Sequence, residues 1–260
     1  MNIVIGDIHG ALLPLLNLLE RENLIDPDHH WIAGNTHLIF LGDYIDRGPD
    51  GIGVIDTIMR LEVEAANAGG KVSALLGNHD VILLEVHHFG DSLSPGFLRD
   101  GIEKSFRQMW LENAGGQVHD LERLEARHVE WLEQRPAMMK IGETLLMHAD
   151  SEFYLEYDDG QKNVNENIRS ILLSRDLTAM DQLEEHFATR MAFMHEPEDV
   201  PQAFAARFGA KRIVHGHTII HKLRNVEPQE VTEPLEYANG VCVNVDHGLC
   251  YGGEGFVYAF

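Results

Sequence analysis

Aspartate, asparagine and histidine side chains recur in short turns rich in glycine along this 260-residue chain. Each turn directly follows an apolar segment. The five turns are residues 6–10 (GDIHG), 42–48 (GDYIDRG), 77–80 (GNHD), 147–150 (MHAD) and 214–218 (VHGHT). Together they offer carboxylate, imidazole and carboxamide groups without a thiolate, a donor set that suits Mn, Fe, Zn, Ni or Mg. The pattern therefore predicts a metal centre.

Six side chains in these turns are the candidate metal ligands: Asp7, His9, Asp43, Asn78, His148 and His217. One such turn would be weak evidence, because aspartate often caps a turn without binding metal. Five in succession are hard to explain as caps. One carboxylate can bridge two cations, and Asp43 is the natural candidate. Two neighbouring cations can bind both a hydroxide and phosphoryl oxygens, so phosphoester hydrolysis is the chemistry to expect.

The elements that carry these turns alternate between strands and helices. Apolar runs predict strands at 2–5, 37–41 and 72–76, with helices at 11–22 and 52–68 between them. Such alternation favours a largely parallel α/β sheet covered by helices. Ligands of such sheets bind at the carboxyl ends of the strands, where the turns lie. Later strands are expected at 144–147, at 212–214 and from residue 240 onward.

Helical segments separate the strands of the first and second halves. Residues 81–135 are predicted to be mostly helical, with breaks at 94–96 and 115–116, and to form an insertion beside the site. Residues 158–208 are charged and also predicted to be helical. We expect one domain spanning 1–260 that contains the insertion at about 81–135, because this length suits one large domain with a sizeable core.

The net charge of −22 restricts the class of partner. Contacts to a nucleic-acid backbone need lysine and arginine, so nucleic acid is not expected as a partner. No apolar run approaches the length of about 18 residues that spans a bilayer, so no membrane partner is expected either.

Two cysteines, Cys242 and Cys250, cannot form a disulfide framework, which favours a reducing, cytoplasmic location.

The order of the five turns resembles that of the calcineurin-like metallophosphoesterases. Residues 42–49 (GDYIDRGP) look like the PPP-type serine/threonine phosphatase branch, and the stretches 31–80 and 246–253 are similar to the bacterial Shewanella-like phosphatases. The resemblance implies a layered sandwich of two mixed β-sheets flanked by helices. It also implies two divalent metal ions per chain, with manganese as the first choice and iron, zinc or nickel as alternatives.

The resemblance also assigns roles to individual residues. Asp7 and His9 would bind the first metal, Asp43 would bridge, and the second metal would be bound by Asn78, His148 and His217.

Next to the ligands, His79 would be the general acid, oriented by Asp46, and Arg47 would bind the phosphate. Arg190 is the expected second phosphate-binding arginine, with Arg169 and Arg175 as competitors.

Three of the five motifs depart from the family pattern. Asp80 stands where glutamate is usual, and Ala149-Asp150 replaces Gly-Gly. Residue 219 is isoleucine where the broader family has a histidine ligand, which fits the PPP branch. We expect His215 to be a structural imidazole rather than a ligand.

The expected activity is hydrolysis of phosphoserine, phosphothreonine or phosphotyrosine in proteins by a hydroxide held between the metals. Its substrates would be phosphorylated proteins or small phosphoesters. The alternative is a bis(5'-nucleosyl)-tetraphosphate hydrolase, whose motifs are similar. A phosphodiesterase or nuclease is disfavoured by the acidic charge and by Ile219, and a catalytically silent protein by the complete set of ligands together with His79.

Overall fold

A computed structural model of the chain describes residues 1–99, 101–158 and 163–260. Strands in these residues form two mixed sheets, ordered β3-β2-β1-β9 and β4-β5-β6-β8-β7. The strands are β1 (Asn2–Ile5), β2 (His37–Phe40), β3 (Lys71–Ala74), β4 (Met138–Ile141), β5 (Thr144–Met147), β6 (Arg212–His215), β7 (Leu235–Tyr237), β8 (Cys242–Asn244) and β9 (Tyr258–Ala259).

The strands that precede the five turns are parallel to their neighbours. In the first sheet β1, β2 and β3 are parallel, and only β9 is antiparallel, at the edge. In the second sheet β5, β6 and β8 are parallel, with β4 and β7 antiparallel at the two edges. The carboxyl ends of the parallel strands carry the polar turns, as the alternating pattern predicts.

Alternate residues along the strands point into two different cores, as strand geometry requires. Val4 and Ile39 of the first sheet pack with Leu146, Val214 and Val243 of the second sheet. This cluster lies between the two sheets and makes them a sandwich. The intervening residues of the same strands belong to the larger cluster that includes the covering helices. The sandwich of two mixed sheets flanked by helices is therefore confirmed.

The helices, except for the last, which was not anticipated, follow the predicted segments with shifted ends. They are α1 (Leu12–Arg21), α2 (Gly51–Asn67), α3 (Asn78–Phe89), α4 (Pro95–Arg99), α5 (Phe106–Met109), α6 (Val118–Arg123), α7 (Ala126–Glu133), α8 (Val164–Ser174), α9 (Leu177–Phe187), α10 (Asp199–Arg207) and α11 (Ile220–Arg224). A π-helical turn, Trp110–Ala114, continues α5. None of the helices in the described ranges is both long and apolar enough to cross a membrane.

Two edge strands and one helix start were not anticipated. The antiparallel strands β4 and β7 extend the second sheet on either side, and α3 begins at Asn78 rather than at residue 81. The earlier start of α3 matters for the site, because Asn78 and His79 then lie in its first turn. The single-domain boundary of 1–260 and the limits of the insertion remain predictions.

Candidate metal centre

The turns after the strands hold their polar residues in unusual backbone conformations. His9, Asp43, Asp46, Arg47 and His217 all have positive φ angles, between 50° and 69°. This left-handed region is unfavourable for residues with a Cβ, by roughly 1–2 kcal/mol each. Five strained residues at one site indicate that the surrounding fold determines their geometry, a pattern common at functional sites.

Two glycines allow these turns to approach one another. A Cβ on Gly77 would collide with the carboxylate of Asp43 and with the ring of His148. A Cβ on Gly216 would collide with Asp7 Oδ1. Glycine is therefore required at both positions so that backbone from β3 and β6 can lie directly against the polar side chains of the neighbouring strands.

The six predicted ligands converge on one buried region, where each is at most 6% exposed. One ligand atom from each of Asp7, Asp43, His148 and His217 lies within 4.8 Å of the others. Asn78 joins this group because its Oδ1 lies 3.2 Å from His148 Nε2. His9 and Asp43 form a second, overlapping group with His79. Asp43 belongs to both groups, and this is the position a bridging carboxylate would occupy.

Hydrogen bonds to backbone carbonyls decide the tautomers of two of these imidazoles. His148 Nδ1–H donates to Leu41 O at 3.0 Å, and His217 Nε2–H donates to Ala188 O at 3.2 Å. In a neutral ring the other nitrogen then carries a lone pair. Those two lone pairs face each other, since His148 Nε2 and His217 Nδ1 are 3.1 Å apart. Such an approach is unfavourable unless a cation lies between them, and this polarisation by backbone carbonyls is typical of metal-binding histidines.

His9 repeats this arrangement on the other side of Asp43. Its Nδ1–H donates to Ile45 O at 3.1 Å. Its Nε2 lies 3.4 Å from Asp43 Oδ2 and 3.8 Å from Asp7 Oδ2. Both His9 Nε2 and Asp43 Oδ2 are buried without a hydrogen-bond partner. Buried polar atoms are normally satisfied, so this pair of atoms fits a divalent cation that would ligate both.

The electrostatics keep Asp43 and the three ligand histidines in their metal-binding forms. Burial lowers the pKa of His9, His148 and His217, which keeps these imidazoles neutral. For Asp43, burial acts in the opposite direction, but His148 and the other imidazoles around it hold its pKa below the usual range. A neutral imidazole and an ionised carboxylate are the protonation states that bind metal.

Asp7 does not lie only with His9 at the first metal, as the sequence predicts, but also contacts the ligands of the second metal. Its two carboxylate oxygens accept hydrogen bonds from His217 N at 3.0 and 3.1 Å. Its carboxylate therefore lies with His148 and His217 as well as near His9. Burial, with Asp246 and Asp43 nearby, raises the pKa of Asp7. A cation would offset this crowding of buried negative charge.

His79 lies beside the centre with both ring nitrogens bonded to protein. Nδ1 lies 2.6 Å from Asp46 Oδ2, and Nε2 lies 2.8 Å from Arg47 Nη2. Neither nitrogen is left for a metal. Burial opposes the charged form of this ring, but Asp43 and Asp46 overcome that effect and raise the pKa of His79. The arrangement fits a proton carrier oriented by Asp46.

Arginine donates only, so the contact with Arg47 requires a lone pair on His79 Nε2. Proton donation from Nε2 therefore requires Arg47 to leave that nitrogen first. A phosphate group attracts the guanidinium strongly, because charge-assisted, bidentate contacts are short and strong. Substrate binding and release of His79 Nε2 are thus coupled through one side chain.

Trp110, in the π-helical turn, fixes Asp46 from the other side and was not anticipated as a site residue. Its indole N–H donates to Asp46 Oδ1 at 2.6 Å, and both side chains are fully buried.

We expect Trp110→Phe to cost about 1–3 kcal/mol of unfolding free energy, because a buried acceptor loses its donor. We also expect kcat to fall more than KM rises. Chemical denaturation and steady-state kinetics test this, with Trp31→Phe as the matched control, since the Trp31 indole donates only to Gly34 O. An unchanged kcat would show that Trp110 does not position Asp46.

Arg190 and Arg47 both line a cavity of about 380 Å³ that opens beside Asn78 and His79. The charge of Arg190 also contributes, after burial, to the lowered pKa of His148 and His217. Neither Arg169 nor Arg175 lines this cavity. The structure therefore brings Arg190, rather than its competitors, to the predicted site.

Three further carboxylates support the site, and the sequence motifs indicate them only in part. Asp80 accepts hydrogen bonds from Asp43 N, Tyr44 N and Gly77 N at 2.8–3.1 Å and so joins two ligand turns. Glu184 hydrogen bonds to the Asn78 side chain. The third is Asp246, which is buried beside Asp7. The Oδ2 atom of Asp246 has no hydrogen-bond partner. The position of Asp80 in the third turn was a visible clue, whereas Glu184 is one acid among many in a charged helix.

The fourth and fifth turns contain two polar residues that stabilise structure. Asp150 accepts hydrogen bonds from Met191 N and from the Tyr237 hydroxyl, each at 2.6 Å. His215 Nε2 lies 2.7 Å from the same hydroxyl, and its Nδ1 contacts the backbone. Both side chains are buried away from the ligand groups, which agrees with the structural interpretation of His215.

Comparison with known proteins agrees with this geometry. Residues 3–221 match the profile described as "Calcineurin-like phosphoesterase". The chain belongs to this family. Shewanella-like protein phosphatase 2 of Arabidopsis thaliana is 34% identical over 83 residues, which are 32% of this chain and 21% of that protein. These matches establish the PPP-type, Shewanella-like relationship within the family.

Other relatives carry different names. The symmetrical bis(5'-nucleosyl)-tetraphosphatase of Ralstonia nicotianae is 29% identical over 145 residues, 56% of this chain and 40% of that protein. The crystal structure of a cold-active protein-tyrosine phosphatase from a psychrophilic Shewanella shares the fold with a TM-score of 0.69 and 20% identity, covering 98% of this chain and 73% of that one. The chain spans only about a fifth to two fifths of the two curated relatives described here.

Proposed function

We propose that this phosphoesterase is a phosphomonoesterase with two divalent metal ions that removes phosphate from phosphoserine, phosphothreonine or phosphotyrosine in proteins. The observation that carries the proposal is the pairing of two groups of side chains. Buried lone pairs of His9, His148 and His217 converge on Asp43, and the His79–Asp46 pair lies directly beside them. The first group suits a metal centre, and the pair suits protonation of a leaving alkoxide.

The residues of the chain would divide the reaction as follows. Asp7, His9, Asp43, Asn78, His148 and His217 would hold the ions. When bound, two such cations supply charge neutralisation and an activated water. Arg47 and Arg190 would bind the phosphoryl oxygens from the cavity side. Once Arg47 has turned to the phosphate, His79 Nε2 would take up a proton from water, because Asp43 and Asp46 favour the charged ring, and would then donate that proton to the leaving oxygen.

The assignment of Arg190 leads to a direct test. We expect Arg190→Ala to lower kcat/KM for a phosphopeptide by roughly 10- to 100-fold, mostly through KM, because charge-assisted hydrogen bonds contribute about 1.5–3 kcal/mol. The affinity for inorganic phosphate as an inhibitor should fall in parallel. Arg169→Ala, which removes the same charge outside the cavity, is the control. Equal effects of the two substitutions would reject the role of Arg190.

A second candidate is hydrolysis of bis(5'-nucleosyl)-tetraphosphates, which the named activity of the Ralstonia relative favours. The same ligands and arginines would serve that reaction, since the metal centre acts on a phosphoryl group in both cases. The two activities differ in the leaving group. An alkoxide needs a proton from His79, whereas a nucleotide phosphate leaves readily as an anion.

A substrate panel distinguishes these activities. The purified chain would be stripped of metal, reconstituted with Mn, Fe, Zn or Ni, and assayed with phosphoserine, phosphothreonine and phosphotyrosine peptides, diadenosine tetraphosphate and a phosphodiester. We expect the phosphopeptides to give the highest kcat/KM. A clear preference for diadenosine tetraphosphate would reject the first proposal in favour of the second. We propose manganese as the working metal and the cytoplasm as the location.

A further inference from the structure

The cavity beside His79 lies between α3 and α9 and is lined by charges of both signs. Arg47 and Arg190 line it together with Asn78 and His79. Asp181, Glu184 and Glu185, all from α9, also line it. A phosphate group bound by the two arginines would therefore place the remainder of the substrate beside an acidic wall.

A fourth carboxylate, Glu85 of α3, lies near these three. Glu85 follows Asn78 and Ile82 at helical spacing, so it shares the face of α3 that lines the cavity. It is 1% exposed, and its Oε1 is buried without a hydrogen-bond partner. Burial raises the pKa of Glu85, and the nearby negative charges of Glu184, Asp181 and Glu185 raise it further. The helix α9 thus brings three carboxylates to the cavity, and the buried Glu85 of α3 lies close to them.

The carboxylates are spaced for an organic cation rather than for a metal ion. In the described part of the chain, the ligand atoms that come within 4.8 Å as a group of three or more are those at the metal centre. The cleft also contains the apolar side chains of Ile82, Phe97 and Met109. An acidic wall with apolar neighbours suits the alkyl stem and charged head of lysine or arginine.

We propose that this cavity is a leaving-group subsite that selects phosphomonoesters with a cationic group close to the phosphate, such as phosphopeptides with arginine or lysine beside the phosphorylated residue. The proposal rests on the phosphomonoesterase function proposed above and narrows its substrate class. The same wall disfavours diadenosine tetraphosphate, because its further phosphates would lie against like charges.

Matched substrates and a matched pair of variants test the subsite. Three phosphoserine peptides would differ only in the residue next to phosphoserine, which is arginine, glutamine or glutamate. We expect the wild type to favour the arginine peptide over the glutamine peptide by about fivefold in kcat/KM, the upper range for an exposed ion pair. Phosphoethanolamine against ethyl phosphate repeats the comparison for small substrates and shows whether a peptide is needed.

Glu185 is the residue to change, because it lines the cavity. A change at Glu184 would also disturb the ligand Asn78, and a change at Asp181 would also disturb the start of α4. Glu185→Lys should abolish or invert the preference for arginine, and Glu185→Gln should reduce it. Glu152→Lys makes the same change of charge at an exposed position outside the cavity, so the preference should persist. Thermal melting confirms that each variant is folded.

Each outcome is decisive. Loss of the preference in the Glu185 variants alone supports the subsite. Equal rates for the arginine and glutamine peptides, or equal loss in Glu152→Lys, would overturn the subsite and leave the monoesterase function intact. Hydrolysis of diadenosine tetraphosphate without hydrolysis of any monoester would instead overturn the proposed function itself.

Discussion

Asp43→Asn is expected to remove both metal ions and to lower turnover by roughly 10³-fold or more, since bound cations contribute several kcal/mol to such transition states. Asp43 belongs to both groups of converging ligand atoms, and its Oδ2 has no protein partner. Its Oδ1 accepts a hydrogen bond from His79 N at 2.9 Å. The carboxamide can keep that one bond but carries no negative charge for a cation.

Elemental analysis of the purified variant measures the bound ions, and thermal melting provides a second readout. A ligand that binds only the folded state raises its stability, so added manganese should raise the melting temperature of the wild type but not of Asp43→Asn. Asp28→Asn, which removes one exposed carboxylate, serves as the control. Retention of two ions by Asp43→Asn would contradict the bridging role.

The sequence predicts the turns of the site well because each is local. Every ligand is adjacent to the end of a short buried strand, and parallel strands bring their carboxyl ends to one edge regardless of what lies between them. Asp7, Asp43 and His217 are far apart in the sequence, but two features of the sheets bring them together. The strand β1 pairs with β2 in the first sheet, and β6 lies in the second sheet, which packs against the first.

The supporting residues could not be predicted in the same way. Trp110 reaches Asp46 from the π-helical turn that follows α5, and Glu184 reaches Asn78 from α9. Both contacts depend on how helices of irregular length pack against the sheet, for which the sequence has no period or motif. The edge strands β4 and β7 were missed for a related reason. Each is a short antiparallel strand that can be identified only from its hydrogen bonds to the neighbouring strand, which the sequence does not show.

His79→Asn is expected to lower turnover on phosphoserine peptides by about 10²–10⁴-fold, the usual contribution of a general acid, while both ions stay bound. The Asn amide can replace the Nδ1–H donor to Asp46 at this buried position, so the fold should tolerate the change. What is lost is the nitrogen that Arg47 now contacts and that would carry the proton to the leaving oxygen.

If His79 is the general acid, the effect of His79→Asn on turnover should depend on the leaving group of the substrate. A serine alkoxide needs protonation, whereas p-nitrophenolate leaves without it, so His79→Asn should impair hydrolysis of p-nitrophenyl phosphate far less than that of the peptide. Asp46→Asn should show the same difference in weaker form, because it disturbs the orientation of His79 without removing it. Equal losses on both substrates would contradict leaving-group protonation. Loss of metal together with activity would show that His79 is a ligand, in conflict with the protein hydrogen bonds at both of its nitrogens.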